Sequence, residues 1–385
     1  MANVISGLQD VALTESKICR IDGSAGHLIY RGYDIRDLAQ NATFEETAYL
    51  LWSGDLPTRP QLNALNAQLA AERGIDENAY RLIASYPKTA PPMDALRTCV
   101  SLLASADAEM EDNSNEANLR KAIRLTAKFP TILAAVYRHS NDQEPIPPLK
   151  DGSSAANFLY MLSGEKPDPF VARTLDAALT LHAEHGMNAS TFSARVTCAT
   201  LSDMYAAVTS ALGTLKGPLH GGANAIVRAM LEEIEAPENA ERYVKETLAG
   251  DRVVPGLAPK RIPGFGHRVY TSYDPRAAVL HEMSETLGKR AGETVWVDIS
   301  EAVVEACEKE GLNEKGVYPN VDFFSASAYT TMGIDVPLFT PVFALARITG
   351  WTAHIIEQHN DNRLIRPKAI YVGEEGRVVQ PIEER

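Results

Sequence analysis

Apolar residues recur along this chain mostly at three- and four-residue intervals, the repeat of a helix that turns one face to a core. Thr43-Phe44-Glu45-Glu46 has the composition of a capping box, with Thr43 placed to bond first-turn amides and Glu46 to reach back. Phe44, Ala48 and Leu51 follow at helical spacing, and Gly54 supplies the stop. Asp168-Pro169 opens a second helix, proline being tolerated in a first turn; Leu175, Leu179 and His182 mark one face, and Gly186 ends it. Between Ser190 and Leu212, the positions Leu201, Tyr205, Val208 and Leu212 predict one long buried stripe. Thr340 to Glu357 is apolar nearly all round, which predicts a helix deep in the core or at a subunit interface.

Strand signals are confined to short runs near Cys19 to Tyr30 and Lys368 to Val372. Brief Pro/Gly loops, at Lys88 to Pro92 and Glu144 to Pro148, separate the helical runs, so the pattern predicts a mainly α architecture. No repeat of fixed period and no low-complexity tract interrupts it. Composition places no domain boundary; the glycine-rich turn Gly217 to Gly222 is the one hinge it offers.

At 385 residues, 45% of them apolar, the chain is long enough for two domains around separate cores and too apolar for disorder. Its 37 basic and 50 acidic side chains give a net charge of −13. That balance argues against nucleic acid or an anionic membrane as partner, since both need a basic face. Four cysteines, Cys19, Cys99, Cys198 and Cys307, lie at least 80 residues apart, with neither a metal-type pair nor a disulfide framework. No uninterrupted apolar run reaches the roughly 18 residues of a bilayer span. Met1 to Asp10 lacks the basic-then-apolar pattern of a signal peptide. These features predict a soluble protein of a reducing compartment, the cytoplasm.

Histidine carries the chemical information, because three of the nine sit at glycine-rich loop–helix junctions. Lys216-Gly217-Pro218-Leu219-His220-Gly221-Gly222 precedes a helical run from Ala225 to Ile234. A histidine there feels the positive end of the helix dipole, which favours the neutral imidazole. A neutral ring N–H can donate to an oxygen that turns negative in a transition state. The plainer alternative is a residue that only caps the helix. Ile262-Pro263-Gly264-Phe265-Gly266-His267-Arg268-Val269-Tyr270 begins like a dinucleotide fingerprint, but Val269 stands where a third glycine is needed and no strand precedes it. The Rossmann reading therefore fails. The Gly264-Phe265-Gly266 backbone can still approach a nucleotide base, with Lys260 and Arg261 beside it for phosphates; the alternative is a surface turn with a solvated basic pair.

His182 and His185 are three apart and share a helix face, without the i, i+4 spacing and following glutamate of a zinc helix. No metal is therefore expected. His182 falls on the apolar stripe and reads as a core histidine, whereas His185 at the helix end is the functional candidate. In Tyr318-Pro319-Asn320-Val321-Asp322-Phe323-Phe324, Asp322 is either the N-cap of an apolar helix or a general base made more basic by the two phenylalanines.

Together these segments resemble the citrate synthase family. Its signature, Gly-aromatic-Gly-His, a short spacer and Asp-Pro-Arg, is met by Gly264-Phe265-Gly266-His267 and Asp274-Pro275-Arg276. Gly217-Pro218-Leu219-His220-Gly221 and Pro319-Asn320-Val321-Asp322 match two further family segments in order. The likeness runs from Tyr30-Arg31-Gly32-Tyr33 to Arg363-Leu364-Ile365-Arg366-Pro367, nearly the whole chain. It implies an all-α, two-domain fold: a large helical domain, 1–221 and 333–385, with a smaller helical domain inserted at 222–332.

The activity the resemblance implies is condensation of acetyl-coenzyme A with oxaloacetate to citrate, with the thioester as co-substrate and no permanently bound cofactor. Asp322 is then the base that takes a proton from the acetyl methyl, His220 the donor to the enolate oxygen, and His267 the group that polarises and protonates the ketone. Arg276, Arg347 and Arg366 hold the oxaloacetate carboxylates with help from His185. Arg366 reaches the partner's site, which implies a homodimer. Coenzyme A contacts fall on Gly264, Phe265 and Gly266, with Lys260, Arg261 and Lys315 as candidates by charge and position. Many family members carry glutamate directly after the histidine corresponding to His185, where this chain has Gly186. Both substrates are anionic, so a net charge of −13 requires the arginines to gather at the site while the acids sit on outer helix faces.

2-Methylcitrate synthase, the same chemistry on propionyl-coenzyme A, is the near alternative, since one methylene discriminates by only about 1–3 kcal/mol in an apolar pocket. A non-catalytic acyl-coenzyme A sensor is the alternative from another class; the joint presence of His220, His267 and Asp322 counts against it. A metal hydrolase lacks any ligand spacing to support it.

Overall fold

Sixteen α-helices carry the fold of the computed structural model, which describes residues 4–8 and 11–385. The first five are α1 (Ile35–Asn41), α2 (Phe44–Ser53), α3 (Arg59–Glu72), α4 (Glu77–Ser85) and α5 (Pro92–Ala106). Next come α6 (Asn115–Ser140), α7 (Ser154–Ser163), α8 (Pro169–His182), α9 (Ala189–Cys198) and α10 (Met204–Leu215). The last six are α11 (Ala223–Ile234), α12 (Ala240–Ala249), α13 (Pro275–Ala291), α14 (Val295–Lys309), α15 (Val321–Thr331) and α16 (Phe339–Asn360). A small antiparallel sheet precedes them, formed by β1 (Cys19–Asp22), β2 (His27–Tyr30) and β3 (Tyr33–Asp34) in that order. The all-α expectation holds.

Local chemistry sets several of these boundaries. Thr43 Oγ1 accepts the Glu46 N–H at 3.2 Å while Glu46 Oε2 accepts the Thr43 N–H at 2.8 Å, and Gly54 ends α2 at φ 97°. Asp168 caps α8 by accepting the Phe170 N–H at 2.8 Å. α8 nevertheless stops at His182 rather than at Gly186, because distant side chains take its last carbonyls. Arg347 Nε donates to His182 O at 2.7 Å, and the Tyr30 hydroxyl lies 3.3 Å from Leu181 O and 2.6 Å from Glu184 O.

Two further expectations are corrected. The run from Ser190 to Leu212 is two helices: Leu201 takes φ 66° and stands 60% exposed, and Asp203 starts α10 afresh by accepting the Ala206 N–H. Asn362 and Asn113 donate to the carbonyls of Ala199 and Leu201 beside the break. Tyr205, Val208 and Leu212 are buried as the stripe requires. Lys368 to Val372 forms no strand, since no other segment among the described residues pairs with it.

α16 threads the core, packed on α2, α6, α8, α9 and α10, which accounts for its nearly uniform hydrophobicity. Helices α11 to α15 pack largely on one another, with α13 also touching α1 and α8, and α11 touching α16. None of the helices is long and apolar enough to cross a membrane. At Gly350 on α16 an added Cβ would lie 2.3 Å from Glu184 Oε2 and 2.4 Å from Ala183 O, so the close approach of that backbone depends on the missing side chain. Gly350→Ala should therefore lower stability by about 1–3 kcal/mol through overpacking, read as a lower urea midpoint at unchanged slope. A variant as stable as the parent would show that the loop yields instead.

Candidate active site

The loop after α8 is pinned on both sides of His185. Tyr30 holds the Glu184 backbone, and Glu184 Oε1 accepts the Gly186 N–H to close a tight turn. His185 is buried, with its Nε2 3.3 Å from the Tyr270 hydroxyl and its ring edge-on to His267 at 5.1 Å. His182 is the core histidine expected, bonded through Nδ1 to Ala178 O at 2.7 Å and edge-on to Phe343.

His220 stands in the turn ahead of α11, whose Gly221 carbonyl accepts a hydrogen bond from Thr340 on α16. The Ser190 amide N–H points at His220 Nε2 from 3.3 Å, and the Ser190 hydroxyl lies 2.8 Å from the same nitrogen. An amide N–H can only donate, so Nε2 accepts and the hydrogen-bond network assigns the neutral ring's proton to Nδ1. The Ser190 hydroxyl is also 2.8 Å from Asn188 Oδ1, and its oxygen accepts the Trp351 indole N–H at 3.1 Å. His220 is thus oriented without being a cap: no side chain caps α11.

The loop Ile262 to Gly266 lies against Tyr318 to Asn320 as a short two-stranded clasp. Gly266 N–H donates to Tyr318 O and Asn320 N–H to Gly264 O, both at 2.8 Å, and Asn320 Nδ2 donates to Gly266 O at 3.0 Å. Gly264, at φ 73°, has no room for a Cβ, which would meet Val227 at 2.7 Å and Phe323 at 2.8 Å. Beyond the clasp, the amides of Val269 and Tyr270 both donate to His267 Nδ1, at 3.0 and 3.3 Å, leaving the neutral ring's proton on Nε2. On the other arm, Asn320 and not Asp322 caps α15, accepting the Asp322 N–H at 3.0 Å. The capping alternative for Asp322 is therefore overturned. No donor among the described residues bonds its carboxylate.

Asp274 is the hub of this half. Its Oδ1 accepts Arg276 Nε at 3.0 Å, and its Oδ2 accepts Arg276 Nη2 at 2.8 Å and the Val321 N–H at 3.2 Å. Both side chains of the pair are buried. Burial opposes the Asp274 charge, yet the Arg276 fork outweighs it and holds the carboxyl below its ordinary range. Across the site Arg347 is buried with Nε bonded to His182 O, and its guanidinium lies 4.6 Å from the Phe343 ring centroid.

Electrostatics follows from two buried guanidiniums. Burial and the Arg347 charge push His220 down to about 4. Burial and Arg276 push His267 down to about 4 against the opposing Asp274. His185 is lowered well below its usual value by burial, then by Arg276, His267 and Arg347. All three rings are therefore neutral near pH 7. Asp322 moves the other way, pushed up to about 6 by burial, with Asp274 adding and the two arginines opposing. The arrangement offers a basic carboxylate, two oriented neutral N–H donors and two fixed cations, a set suited to removing a carbon-bound proton and stabilising the resulting oxyanion. No group of three or more His, Cys, Asp or Glu residues among the described ones is placed to hold a metal.

His185, His220, His267, Asp322, Arg276 and Arg347 are brought together; Arg366 is not. It is exposed in the segment after α16, with no hydrogen-bond or ion-pair partner among the described residues. Phe265 is buried edge-on to Phe323 at 5.0 Å, while Lys260, Arg261 and Lys315 are exposed. A Cβ added at Gly266 would lie 3.7 Å from Val317 and 3.8 Å from Arg261. Roles for Ser190, Tyr270 and Asp274 escaped the sequence reading. Asp274 had a local signal, two positions before the arginine it holds; Ser190, 30 residues from its histidine, had none.

Residues 7–368 match the family model for the citrate synthase C-terminal domain. A citrate synthase of Haloferax volcanii is 49% identical over 98% of each chain. A 2-methylcitrate synthase of Shewanella oneidensis is 42% identical over 99% of this chain and 98% of that one. Among solved structures, the citrate synthase of Thermoplasma acidophilum, in ternary complex with carboxymethyl coenzyme A and oxaloacetate, aligns with a TM-score of 0.91 at 32% identity over 100% of both chains.

The raised Asp322 carboxyl has a stability consequence. Its folded value of about 6 exceeds the ordinary 3.8, so the folded state binds the proton more tightly and stability falls as pH rises between the two. Asp322→Asn removes that cost and should be more stable than the parent at neutral pH by about 2–3 kcal/mol. The gap should close as pH falls towards about 4. Urea unfolding across this range measures it; a gap independent of pH would put the carboxyl at its ordinary value.

Proposed function

The chain belongs to the citrate synthase family, and we propose that it condenses acetyl-coenzyme A with oxaloacetate and water to citrate and coenzyme A. The observation that carries this reading is the meeting of Asp322, His220 and His267 around Arg276 and Arg347, each group already in the protonation state its task needs. Asp322 takes a proton from the acetyl methyl. A thioester methyl is a weak carbon acid, so the Nδ1–H of His220 donates to the enolate oxygen as it forms; one such donor is worth about 3 kcal/mol. The enolate carbon attacks the ketone of oxaloacetate, whose oxygen is polarised by the Nε2–H of His267 and receives that proton. Water then hydrolyses the citryl thioester, releasing the thiol of coenzyme A.

Both arginines are oriented by inner bonds that leave outer N–H groups free for carboxylate. Arg276 commits Nε and Nη2 to Asp274 and offers Nη1; Arg347 commits Nε to His182 O and offers both amino groups. His185 assists beside them. The Gly264–Phe265–Gly266 clasp would take coenzyme A, with Lys260, Arg261 and Lys315 as outer cations; the ternary complex of the Thermoplasma relative supports both substrates.

His185, His220 and Arg347 come from residues 1–221 and 333–385, and His267, Arg276 and Asp322 from 222–332. A small domain of the latter bounds, closing on a large one, would assemble the site and keep the enolate from water. Arg366, charged and unpartnered among the described residues, fits a role in the site of a second copy, hence a homodimer. The four cysteines are free thiols, which supports the cytoplasm as compartment.

Thiol release from acetyl-coenzyme A should depend strictly on oxaloacetate; release without it would mean thioester hydrolysis in place of condensation, and none from folded protein would move the sensor reading forward. The relative named 2-methylcitrate synthase keeps propionyl-coenzyme A as the second reading, and a clear propionyl preference in the same assay would install it. The rate should rise with pH through about 6 as Asp322 ionises, with no histidine inflection near neutrality. Asp322→Asn should lower kcat by about 10²–10⁴-fold, and unchanged turnover would remove Asp322 as the base.

A further inference from the structure

Beneath the His185 loop runs a chain of buried polar side chains that the proposed chemistry does not use. Glu184 is fully buried, and its Oε1 accepts both the Gly186 N–H and, at 3.0 Å, the Nε2–H of His354. His354 Nδ1 faces Arg195 Nη1 at 2.8 Å. A guanidinium only donates, so Nδ1 accepts and the ring's proton stands on Nε2, aimed at Glu184. Arg195 also donates to Gln358 Oε1 at 3.0 Å and to Glu357 Oε2 at 2.9 Å. The other oxygen of Glu357 accepts the Lys17 N–H at 3.0 Å, nearer the surface.

Glu184 Oε2, by contrast, is buried with no hydrogen-bond partner among the described residues and packs against Gly350. A buried carboxylate oxygen left unbonded is unfavourable, so stability alone does not explain this glutamate next to His185. Its geometry does. The residue before His185 is held through its backbone by Tyr30, and the residue after it through its amide by the Glu184 carboxylate. The His185 ring itself has a single hydrogen-bond contact among the described residues, 3.3 Å to Tyr270, so its direction is inherited from that turn.

We infer that Glu184 and His354 are positioning residues: through the Gly186 turn they aim the His185 ring at the keto-dicarboxylate substrate, with Arg195 holding His354 in the tautomer that makes the contact. This rests on the condensing activity proposed above. His354→Leu removes both hydrogen bonds at similar bulk. His354→Gln restores their order, an amide N–H towards Glu184 and a carbonyl oxygen towards Arg195. The leucine variant should raise KM for oxaloacetate about tenfold while kcat and KM for acetyl-coenzyme A stay close to the parent, and the glutamine variant should recover most of the loss. Lower melting temperatures with an unchanged ratio of the two KM values would mean a structural role only and overturn the inference. Should the leucine variant not fold, two further measurements decide. Glu184→Met, which removes the acceptor of both hydrogen bonds at similar length, should raise the same KM selectively. Nitrogen-15 NMR of the parent protein should find His354 protonated on Nε2; protonation on Nδ1, or an unmoved KM in the methionine variant at 184, overturns it. A parent without oxaloacetate-dependent thiol release would refute the condensing reading instead, with the His354 tautomer still read by NMR.

Discussion

Burial of Arg347, with its Nε bonded to the His182 carbonyl at 2.7 Å, is the interaction on which the rest of the site depends. A guanidinium that deep is tolerated only where its donors are directed, and this bond directs them while ending α8. The same helix presents Gly350, Trp351 and His354 at following turns. Gly350 admits the 183–184 backbone, His354 bonds Glu184, and Trp351 bonds the Ser190 hydroxyl that meets His220. One rigid element therefore registers two loops that carry separate histidines, a precision that mobile loops alone do not supply.

The charge pattern is a second consequence. Burial first, and then the two buried cations Arg276 and Arg347, make it unfavourable for the nearby imidazoles to take a proton, so the three histidines stay neutral. Asp274 compensates one cation directly and becomes a poorer base for it. Asp322, buried and without a hydrogen-bond donor among the described residues, is left basic although the same cations oppose it. Two aspartates of one site are thus driven apart by environment, the pattern from which acid and base roles are assigned.

Helix starts and the all-α class were legible because they rest on contacts within a few residues, such as Thr43 with Glu46 or Asp168 with Phe170. The family segments around His220, His267 and Asp322 were legible too, since each packs glycine, histidine or aspartate into one short stretch. Where the sequence reading failed, the deciding partner was far along the chain. α8 ended early because Arg347, 165 residues away, took its carbonyl. The expected strand near Lys368 lacked a partner, and the Ser190 to Leu212 stripe broke at Leu201, where Asp203 capped a new helix.

By itself, then, the sequence determined the fold class, the helix boundaries that have local caps, and the short segments in which candidate chemistry gathers. Tertiary structure alone decided which ring nitrogen of His220, His267 and His354 bears the proton, that Asn320 rather than Asp322 caps α15, and that burial pushes the Asp322 carboxyl up to about 6. The reason is physical: local propensity acts through the backbone within a turn or two, whereas protonation depends on burial and on charges brought close only by folding.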